Sequence, residues 1–251
     1  MKNLKGKTAI VTGGSRDIGR SCSIKLAEAG AKIVVNYHSN IAAGEETVAA
    51  IQAIGGEAIL VKADMMKKAD VDNLVAETVK AFGNDIHVLV NNVGGLVARK
   101  KLAEMDEEFF NHVMSLNVNS AFLATQAVVP HMPAGSAIVN LASLAGQNGG
   151  GNGSSAYSTS KGAVSAFTRA MAKELGPQGI RVNALNPGMI ATTFHDTFST
   201  DEARRNVEAT VPLRRQGHPD DCADTVVYLA SDASSYITGA NIDINGGMFY
   251  S

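Results

Sequence analysis

A chain of 251 residues, of which 45% are apolar and 18% charged, can build a packed core, which excludes global disorder. The net charge of −2 offers no basic field to attract nucleic acid or an anionic membrane. No apolar run reaches the roughly 20 residues that cross a bilayer, and residues 8–11 are too short for a signal peptide, so we expect a cytoplasmic protein. Cys22 and Cys222 stand in unrelated segments without metal-ligand spacing, so we expect no metal site.

Short β-branched runs alternate along the chain with longer segments of helical period. Strands are predicted at residues 8–12, 32–37, 58–61, 86–91, 137–141, 181–185 and 241–244. Helices are predicted at residues 18–29, 41–54, 71–82, 107–129 and 157–175, with left-handed caps at Gly30, Gly55 and Gly176. This alternation predicts a single α/β domain over residues 1–251. Its fold class is a doubly wound (Rossmann-type) parallel sheet of about seven strands with helices on both faces.

A glycine-bearing turn joins the first predicted strand to the first helix. Its sequence is Thr12-Gly13-Gly14-Ser15-Arg16-Asp17-Ile18-Gly19. Glycines at this place let the backbone approach a pyrophosphate, which the N–H groups of the helix N-terminus can bind. An ordinary βα turn is the alternative for an isolated glycine cluster. The position at the first strand–helix junction favours a dinucleotide site.

Several segments in register along the chain resemble the short-chain dehydrogenase/reductase family. Residues 12–19 resemble its Thr-Gly-x-x-x-Gly-x-Gly motif, Asn91-Asn92-Val93-Gly94 its Asn-Asn-Ala-Gly segment, and Asn186-Pro187-Gly188 the segment that closes over the nicotinamide. In order and spacing, Asn117, Ser143, Tyr157 and Lys161 are similar to its catalytic tetrad. The resemblance covers nearly the whole chain, with 3-ketoacyl-carrier-protein reductases and sugar dehydrogenases as the branches it suggests. It implies hydride transfer between a nicotinamide cofactor and a carbonyl compound or secondary alcohol.

The pair Tyr157 and Lys161 also makes chemical sense without the resemblance, because residues four apart share one face of a helix. A phenol with a pKa near 10 needs a neighbouring positive charge to act as an acid–base catalyst at neutral pH. The resemblance implies that Lys161 also binds the nicotinamide ribose. It implies further that Ser143 binds the substrate carbonyl and that Asn117 holds a water leading from Lys161 to solvent.

The resemblance and the glycine turn together predict a set of cofactor-binding residues. They are Gly13, Ser15, Arg16, Ile18, Gly19, Asn36, Tyr37, His38, Asp64, Met65, Asn91, Gly94, Tyr157, Lys161, Pro187, Gly188, Ile190 and Thr192. No carboxylate follows the second strand to bind ribose hydroxyls, and Arg16 can pair with a 2′-phosphate, so NADP(H) is favoured over NAD(H). The alternative is a solvated Arg16. Asp17, which replaces the middle glycine of the motif, is interpreted as a helix cap.

The substrate predicted first is a small polar carbonyl compound such as a sugar or keto sugar acid. The loop 146–155 is rich in glycine and asparagine, and residues 130–135 carry no Lys or Arg to meet an acidic carrier. The candidate substrate residues are Gly95, Ser143, Asn148 and His195. Residues 99–101 are interpreted as a solvated basic loop, with attraction of an anionic substrate as the alternative. The alternative activities are 3-ketoacyl-carrier-protein reductase and, from another class, a non-catalytic dinucleotide-binding sensor or assembly protein.

Residues 191–216 lose the strand–helix rhythm and are predicted to form a lid over the carboxyl ends of the strands. Phe194, His195 and Phe198 could face the substrate, although His195 alone is interpreted as a surface histidine. The helices 107–129 and 157–175, with the segment 242–250, predict a homotetramer of the kind common in the resembling family. No nucleic-acid or membrane partner is expected.

Overall fold

The computed structural model describes residues 3–250 and arranges seven parallel strands in one sheet of order β3-β2-β1-β4-β5-β6-β7. The strands are β1 (Thr8–Val11), β2 (Lys32–Tyr37), β3 (Ala58–Lys62), β4 (Val88–Asn91), β5 (Ala137–Leu141), β6 (Arg181–Pro187) and β7 (Asn241–Ile244). The doubly wound parallel fold predicted from the sequence is therefore confirmed. Burial on both faces explains why the central strands β1, β4 and β5 are apolar nearly throughout.

Ten α-helices flank the sheet within residues 3–250. They are α1 (Asp17–Glu28), α2 (Ile41–Ala53), α3 (Lys68–Phe82), α4 (Glu107–Met114), α5 (Ser120–Val128), α6 (Ala145–Asn148), α7 (Ser155–Leu175), α8 (Thr193–Phe198), α9 (Asp201–Thr210) and α10 (Pro219–Ala230). Alternate residues of β1 divide the core into two layers: Ala9 and Val11 pack in the layer of α1 and α10, and Ile10 in that of α3 and α7.

The helix predicted at residues 107–129 contains a wider turn that the sequence does not reveal. Between α4 and α5 the chain forms a π-helical turn, Ser115–Asn119, without leaving the helical path. Asn117 lies in this turn and is buried. Single π-helical turns within α-helices occur often at functional sites, since they shift one side chain out of the regular pattern.

The left-handed caps are confirmed at two of the three predicted glycines. Gly30 and Gly55 have φ angles of +98° and +79° after α1 and α2. The prediction for Gly176 is wrong, because its φ is −54° and the chain continues into a short 3-10 turn, Gly176–Gln178. The left-handed residue is Gly179, with a φ of +76°.

The strand order reverses between β1 and β4, where the chain moves from one half of the sheet to the other. Helices that follow the two strands pack on opposite faces, which leaves a crevice at the carboxyl ends, the usual ligand site of such sheets. Thr12, Asn92, Ser143 and Gly188 follow β1, β4, β5 and β6 at this edge.

Candidate active site

Side chains from both neighbouring strands hold the glycine turn after β1. Asn36 of β2 is buried; its Oδ1 accepts the Gly13 N–H at 2.9 Å, and its Nδ2 donates to main-chain carbonyls of β3 and the residue after it. Asn92, just beyond β4, donates from Nδ2 to the carbonyls of Thr12 and Gly13 at 3.0 and 3.1 Å. The side chain of Asn36, predicted to bind cofactor, is thus engaged in bracing the turn.

Asn91 points into the protein while its neighbour Asn92 reaches the turn. The Nδ2 of Asn91 donates to Asn140 at 2.9 Å and to Thr125 at 3.2 Å, and Asn140 in turn donates to Thr168 at 2.8 Å. This buried network ties β4, β5, α5 and α7 together beneath the site. Asn92, which braces the glycine turn, is absent from the predicted set of site residues. The alternation of side chains along β4 could have identified it, because Asn91 and Asn92 must point in different directions.

The first turn of α1 provides a fitting place for a diphosphate. Its leading N–H groups lack intrahelical partners, as in every helix, and no side chain caps them, since the N-cap residue Arg16 makes no capping hydrogen bond. The turn also packs closely: a Cβ on Gly19 would lie 2.0 Å from the Gly13 carbonyl oxygen. Ile18 is half-buried beside it, and Ser15 is buried. The free N–H groups of this turn therefore suit the diphosphate of the dinucleotide cofactor that the sequence predicts.

Asp17 does not cap α1, so that interpretation is wrong. It is the first residue of the helix and has a φ of +51°, a left-handed conformation. Its carboxylate turns away from the helix and accepts the Thr193 N–H at 3.1 Å and the Thr193 hydroxyl at 2.5 Å. The Arg16 guanidinium also donates to the Thr193 hydroxyl, at 3.3 Å. The residue that replaces the motif glycine therefore connects the turn to α8.

Near the end of β2, where the adenosine ribose is expected, an acid approaches from the turn after β3. Tyr37 is buried, whereas His38 is exposed with its Nε2 3.9 Å from a carboxylate oxygen of Asp64. Asp64 accepts the Met66 N–H at 3.0 Å in the turn after β3, and Met65 packs into the core. The predicted residues His38 and Asp64 are thus brought together at this edge.

Tyr157, Lys161 and Ser143 meet where β5 runs into α6 and α7. Lys161 is buried, and its Nζ donates to the Leu141 carbonyl at 2.7 Å and lies 5.8 Å from the centre of the Tyr157 ring. Burial lowers the pKa of Lys161 to about 8. Burial raises the pKa of Tyr157, and its hydrogen bond with Ser143 partly offsets that rise. The phenol is therefore protonated at neutral pH and positioned to donate a proton next to the Ser143 hydroxyl.

Asn117 and Lys161 converge on the main chain after β4. Asn117 accepts the Gly95 N–H and donates to the Gly95 carbonyl, each at 2.9 Å. A Cβ on Gly94 would lie 2.5 Å from Asn117 Oδ1 and 2.8 Å from Lys161 Nζ. Only a glycine leaves room for both polar groups, so Gly94 fixes the spacing of the tetrad.

The segment after β6 leads from the sheet edge to the lid. Pro187 accepts the Leu144 N–H, and Gly188 donates to the carbonyl of Ile244 on β7, both at 3.0 Å. Ile190 is buried, and Thr192, also buried, donates from its hydroxyl to the Ile190 carbonyl at 3.1 Å. These predicted cofactor residues therefore lie in one continuous segment that leads from the end of β6 to the start of α8.

The predicted lid, residues 191–216, contains α8 and α9, and α8 contacts the tetrad. The Phe194 ring centre lies 5.8 Å from that of Tyr157, and the rings of His195 and Phe198 lie 5.0 and 5.2 Å from Phe194. His195 is half-buried and its Nδ1 lies 2.9 Å from the Ser199 hydroxyl, so its interpretation as a surface histidine is wrong. Burial, with Arg204 and Arg99 nearby, lowers the pKa of His195 to about 4.

The substrate candidate Asn148 and the basic residue Arg99 both contact the glycine-rich loop 146–155. Asn148 is exposed at the end of α6, and its Oδ1 accepts the Gly150 N–H at 2.9 Å, a local turn contact. Arg99 bridges two segments, since it donates to the Asn152 carbonyl at 3.0 Å and to the Phe198 carbonyl at 3.3 and 3.4 Å. Within residues 3–250, no acidic side chain forms an ion pair with Arg99.

Within residues 3–250, none of the helices combines the length and the apolar character that crossing a membrane requires. In the same part of the chain, no three His, Cys, Asp or Glu side chains are grouped as a metal ion would need.

The fold and the site together define an oxidoreductase of the Rossmann-type class. A family model described as "Enoyl-(Acyl carrier protein) reductase" matches residues 13–249. A 3-oxoacyl-[acyl-carrier-protein] reductase of Synechocystis sp. is 39% identical over 99% of both chains. The protein therefore belongs to the short-chain dehydrogenase/reductase family.

Solved structures are similar over nearly the full length as well. A 7α-hydroxysteroid dehydrogenase complexed with NADH and 7-oxo glycochenodeoxycholic acid is 34% identical, with a TM-score of 0.93 over 98% of this chain and 95% of that chain. A short-chain dehydrogenase from Burkholderia cenocepacia in complex with NADP is 32% identical, with a TM-score of 0.91 over 98% of each chain. Both matches support the family assignment and the fold.

Proposed function

We propose that this protein is an NADP(H)-dependent reductase or dehydrogenase that transfers a hydride between the nicotinamide and a small polar carbonyl compound or its alcohol. The observation that carries the proposal is the meeting of Ser143, Tyr157 and Lys161 at the carboxyl edge of the sheet, beside the glycine turn. The bound nicotinamide supplies or accepts the hydride.

The protein's own residues handle the proton and the orientation of the substrate. Ser143 donates a hydrogen bond to the substrate oxygen and steers it to the Tyr157 hydroxyl, which gives up or takes the proton. Lys161 holds its charge next to the ring and binds the ribose hydroxyls. Asn117 keeps the Gly94–Gly95 backbone against Lys161, which preserves this geometry.

NADP(H) is favoured because the residues that follow β2 include no carboxylate to bind the ribose hydroxyls. The exposed Arg16 guanidinium lies beside the turn, and His38 lies at the end of β2, so both can approach a 2′-phosphate. The Burkholderia cenocepacia structure, which is in complex with NADP, supports this choice. The hydroxysteroid dehydrogenase, complexed with NADH, represents the alternative.

A sugar or a keto sugar acid is the proposed substrate class. The glycine-rich loop beside α6 offers main-chain hydrogen-bonding groups, and the Phe194 ring offers an apolar face against Tyr157. Arg99, which has no acidic partner within residues 3–250, adds positive charge near α8 that suits a substrate carboxylate.

The second candidate is reduction of a 3-oxoacyl chain carried on a protein. It is favoured by the name of the Synechocystis relative. The segment 130–135 between α5 and β5, which has no Lys or Arg, argues against an acidic carrier at that place. The two candidates differ in substrate length and charge, so one assay can separate them.

A cofactor-oxidation screen tests the proposal. Fructose, 5-keto-D-gluconate, acetoacetyl-coenzyme A and phenanthrenequinone are each offered with NADPH and with NADH, and absorbance of the reduced cofactor is followed. We expect the highest kcat/KM with 5-keto-D-gluconate and NADPH. Highest activity with acetoacetyl-coenzyme A would replace this substrate by the second candidate. Tight NADPH binding without turnover of any compound would instead support a non-catalytic sensor or assembly protein.

We also propose a homotetramer. Phe122 of α5 is 44% exposed, and Tyr250 near the end of the chain is 79% exposed, so large apolar groups lie on both predicted contact surfaces. Sedimentation at micromolar concentration should give a mass near four times the 26.1 kDa chain. A single monomer boundary would contradict this.

A further inference from the structure

Asp17 connects two parts of the site that are 176 residues apart in sequence. Its two carboxylate oxygens accept both donors of Thr193, the N–H at 3.1 Å and the hydroxyl at 2.5 Å. The same hydroxyl accepts a hydrogen bond from Arg16 at 3.3 Å. Thr193 is the first residue of α8, so the glycine turn holds this helix at its start.

The residue after Thr193 carries that contact to the tetrad. Phe194 packs on the Tyr157 ring, and Phe198 at the end of α8 packs on Phe194. Arg99, in the segment after β4, donates to the Phe198 carbonyl at the other end of α8. The short helix is therefore held at both ends by charged side chains that themselves lie outside the lid.

We propose that Asp17 is a positioning residue that fixes α8 over the site. It thereby sets the distance between the rings of Phe194 and Tyr157, and Phe194 forms one wall of the substrate pocket. This inference rests on the proposed function, because Tyr157 is the proton donor there. It assigns the unusual residue of the glycine motif a role in substrate binding. The Asp17 carboxylate leaves the expected diphosphate-binding site at the N-terminus of α1 open, because it points toward Thr193.

The backbone at Asp17 provides a clean set of variants. Its φ of +51° is one that glycine adopts without strain and that asparagine tolerates better than most residues. Asp17→Gly removes both contacts to Thr193, and Asp17→Asn keeps one oxygen acceptor. Thr193→Val removes the hydroxyl, whereas Thr193→Ser retains both donors and serves as the matched control. The variants at Asp17 are expected to keep the melting temperature of the wild type.

Hydrogen–deuterium exchange of the free protein tests the contact without any requirement for activity. We expect amides of residues 193–199 to exchange about tenfold faster in Asp17→Gly, as loss of hydrogen bonds to a charged group predicts. Asp17→Asn should fall between, and Thr193→Ser should match the wild type. Adding Thr193→Val to Asp17→Gly should add little, because the hydroxyl contact with Asp17 is already lost and only the longer contact with Arg16 remains to be removed. Unchanged exchange in Asp17→Gly would overturn the proposal.

Steady-state kinetics with NADPH and the best of the four screen compounds tests the link to the substrate wall. We expect Asp17→Gly to raise the KM for the carbonyl compound about fivefold and to change kcat by less than about twofold, with recovery in Asp17→Asn. Faster exchange with an unchanged KM would overturn the positioning role. If no compound is turned over by the wild type, the proposed function fails, while the exchange measurement still decides whether Asp17 holds α8.

Discussion

The glycine turn and the lid both face the crevice, but the structure holds them in different ways. The turn is braced by Asn36 and Asn92, whose amides bind main-chain groups at the edge of the sheet. The lid helix α8 is held by Asp17 and Arg99 through contacts at the protein surface.

This difference suggests that the region that carries out the reaction is rigid, whereas the region that selects the substrate opens more easily. Buried side-chain to main-chain bonds are costly to break, because the freed groups stay without partners, so the turn and the tetrad keep one geometry. Surface contacts open at lower cost, which suits a segment that must admit a substrate and release a product. Changes in the braced region should therefore affect kcat, and changes around the lid should affect binding.

Among the changes that test this difference between the two regions, crowding the braced region should have the largest effect. Gly94→Ala adds a Cβ that would meet Asn117 Oδ1 at 2.5 Å and Lys161 Nζ at 2.8 Å, so one of these groups must move. We expect kcat to fall about 100-fold, since small displacements of catalytic groups have large effects on rate. Gly176→Ala is the control, because its φ is −54° and no atom lies within 4 Å of the added Cβ. Wild-type kcat in Gly94→Ala would refute the claim of a tightly spaced tetrad.

A smaller effect is expected at the junction of the two regions. Arg16→Leu removes the guanidinium proposed to bind the 2′-phosphate, and we expect the KM for NADPH to rise about tenfold. The KM for NADH should stay within about twofold. Arg20→Leu is the control, because Arg20 lies in the first turn of α1 but is paired with Glu46 at 3.2 Å. An equal rise for both cofactors would mean that Arg16 does not read the phosphate.

The smallest effect concerns the pH response of the lid. The pKa of His195 is lowered from 6.5 to about 4, so between these values the opened lid binds a proton that the closed lid excludes. The contribution of neutral His195 to lid closure is therefore fully present above pH 6.5 and is lost as the pH falls toward 4. Arg204 and Arg99 oppose protonation of the ring and Asp196 favours it.

Hydrogen exchange of residues 193–199, corrected for intrinsic rates, measures this response. We expect the opening of the lid to increase about threefold from pH 7 to pH 5, after allowance for partial exposure of the ring. His195→Gln keeps a partner for Ser199 but cannot be protonated, so it should remove the dependence. A pH response that persists in His195→Gln would assign it to another group.

The fold could be predicted from sequence because strand and helix periods are local properties. All seven strands lie where the β-branched runs predicted them, although β4 starts two residues later than expected and β6 continues through Pro187. The π-helical turn around Asn117 could not be predicted, since one extra residue per turn leaves the apolar pattern of the helix almost unchanged.

The site could be predicted in its residue types but not in its long-range contacts. The order and spacing of Asn117, Ser143, Tyr157 and Lys161 matched the resembling family, and the structure brings these four side chains close together. Local rules for helix ends predicted that Asp17 caps α1. The prediction failed because its partner Thr193 lies 176 residues away, and rules of this kind consider only nearby residues. His195 was misjudged for the same reason, since its burial depends on the contact with Phe194 and on where α8 packs.

The proposal to test most directly is that Tyr157 transfers the proton, whereas the cofactor is bound mainly by the glycine turn and the start of α1. Tyr157→Phe keeps the ring that packs on Phe194 and removes only the hydroxyl. Turnover of the best screen compound and the Kd for NADPH should be measured on the same samples, with Tyr236→Phe, fully exposed, as the control. We expect turnover to fall at least about 1,000-fold while the Kd stays within about threefold. Turnover near the wild-type rate in Tyr157→Phe would contradict it.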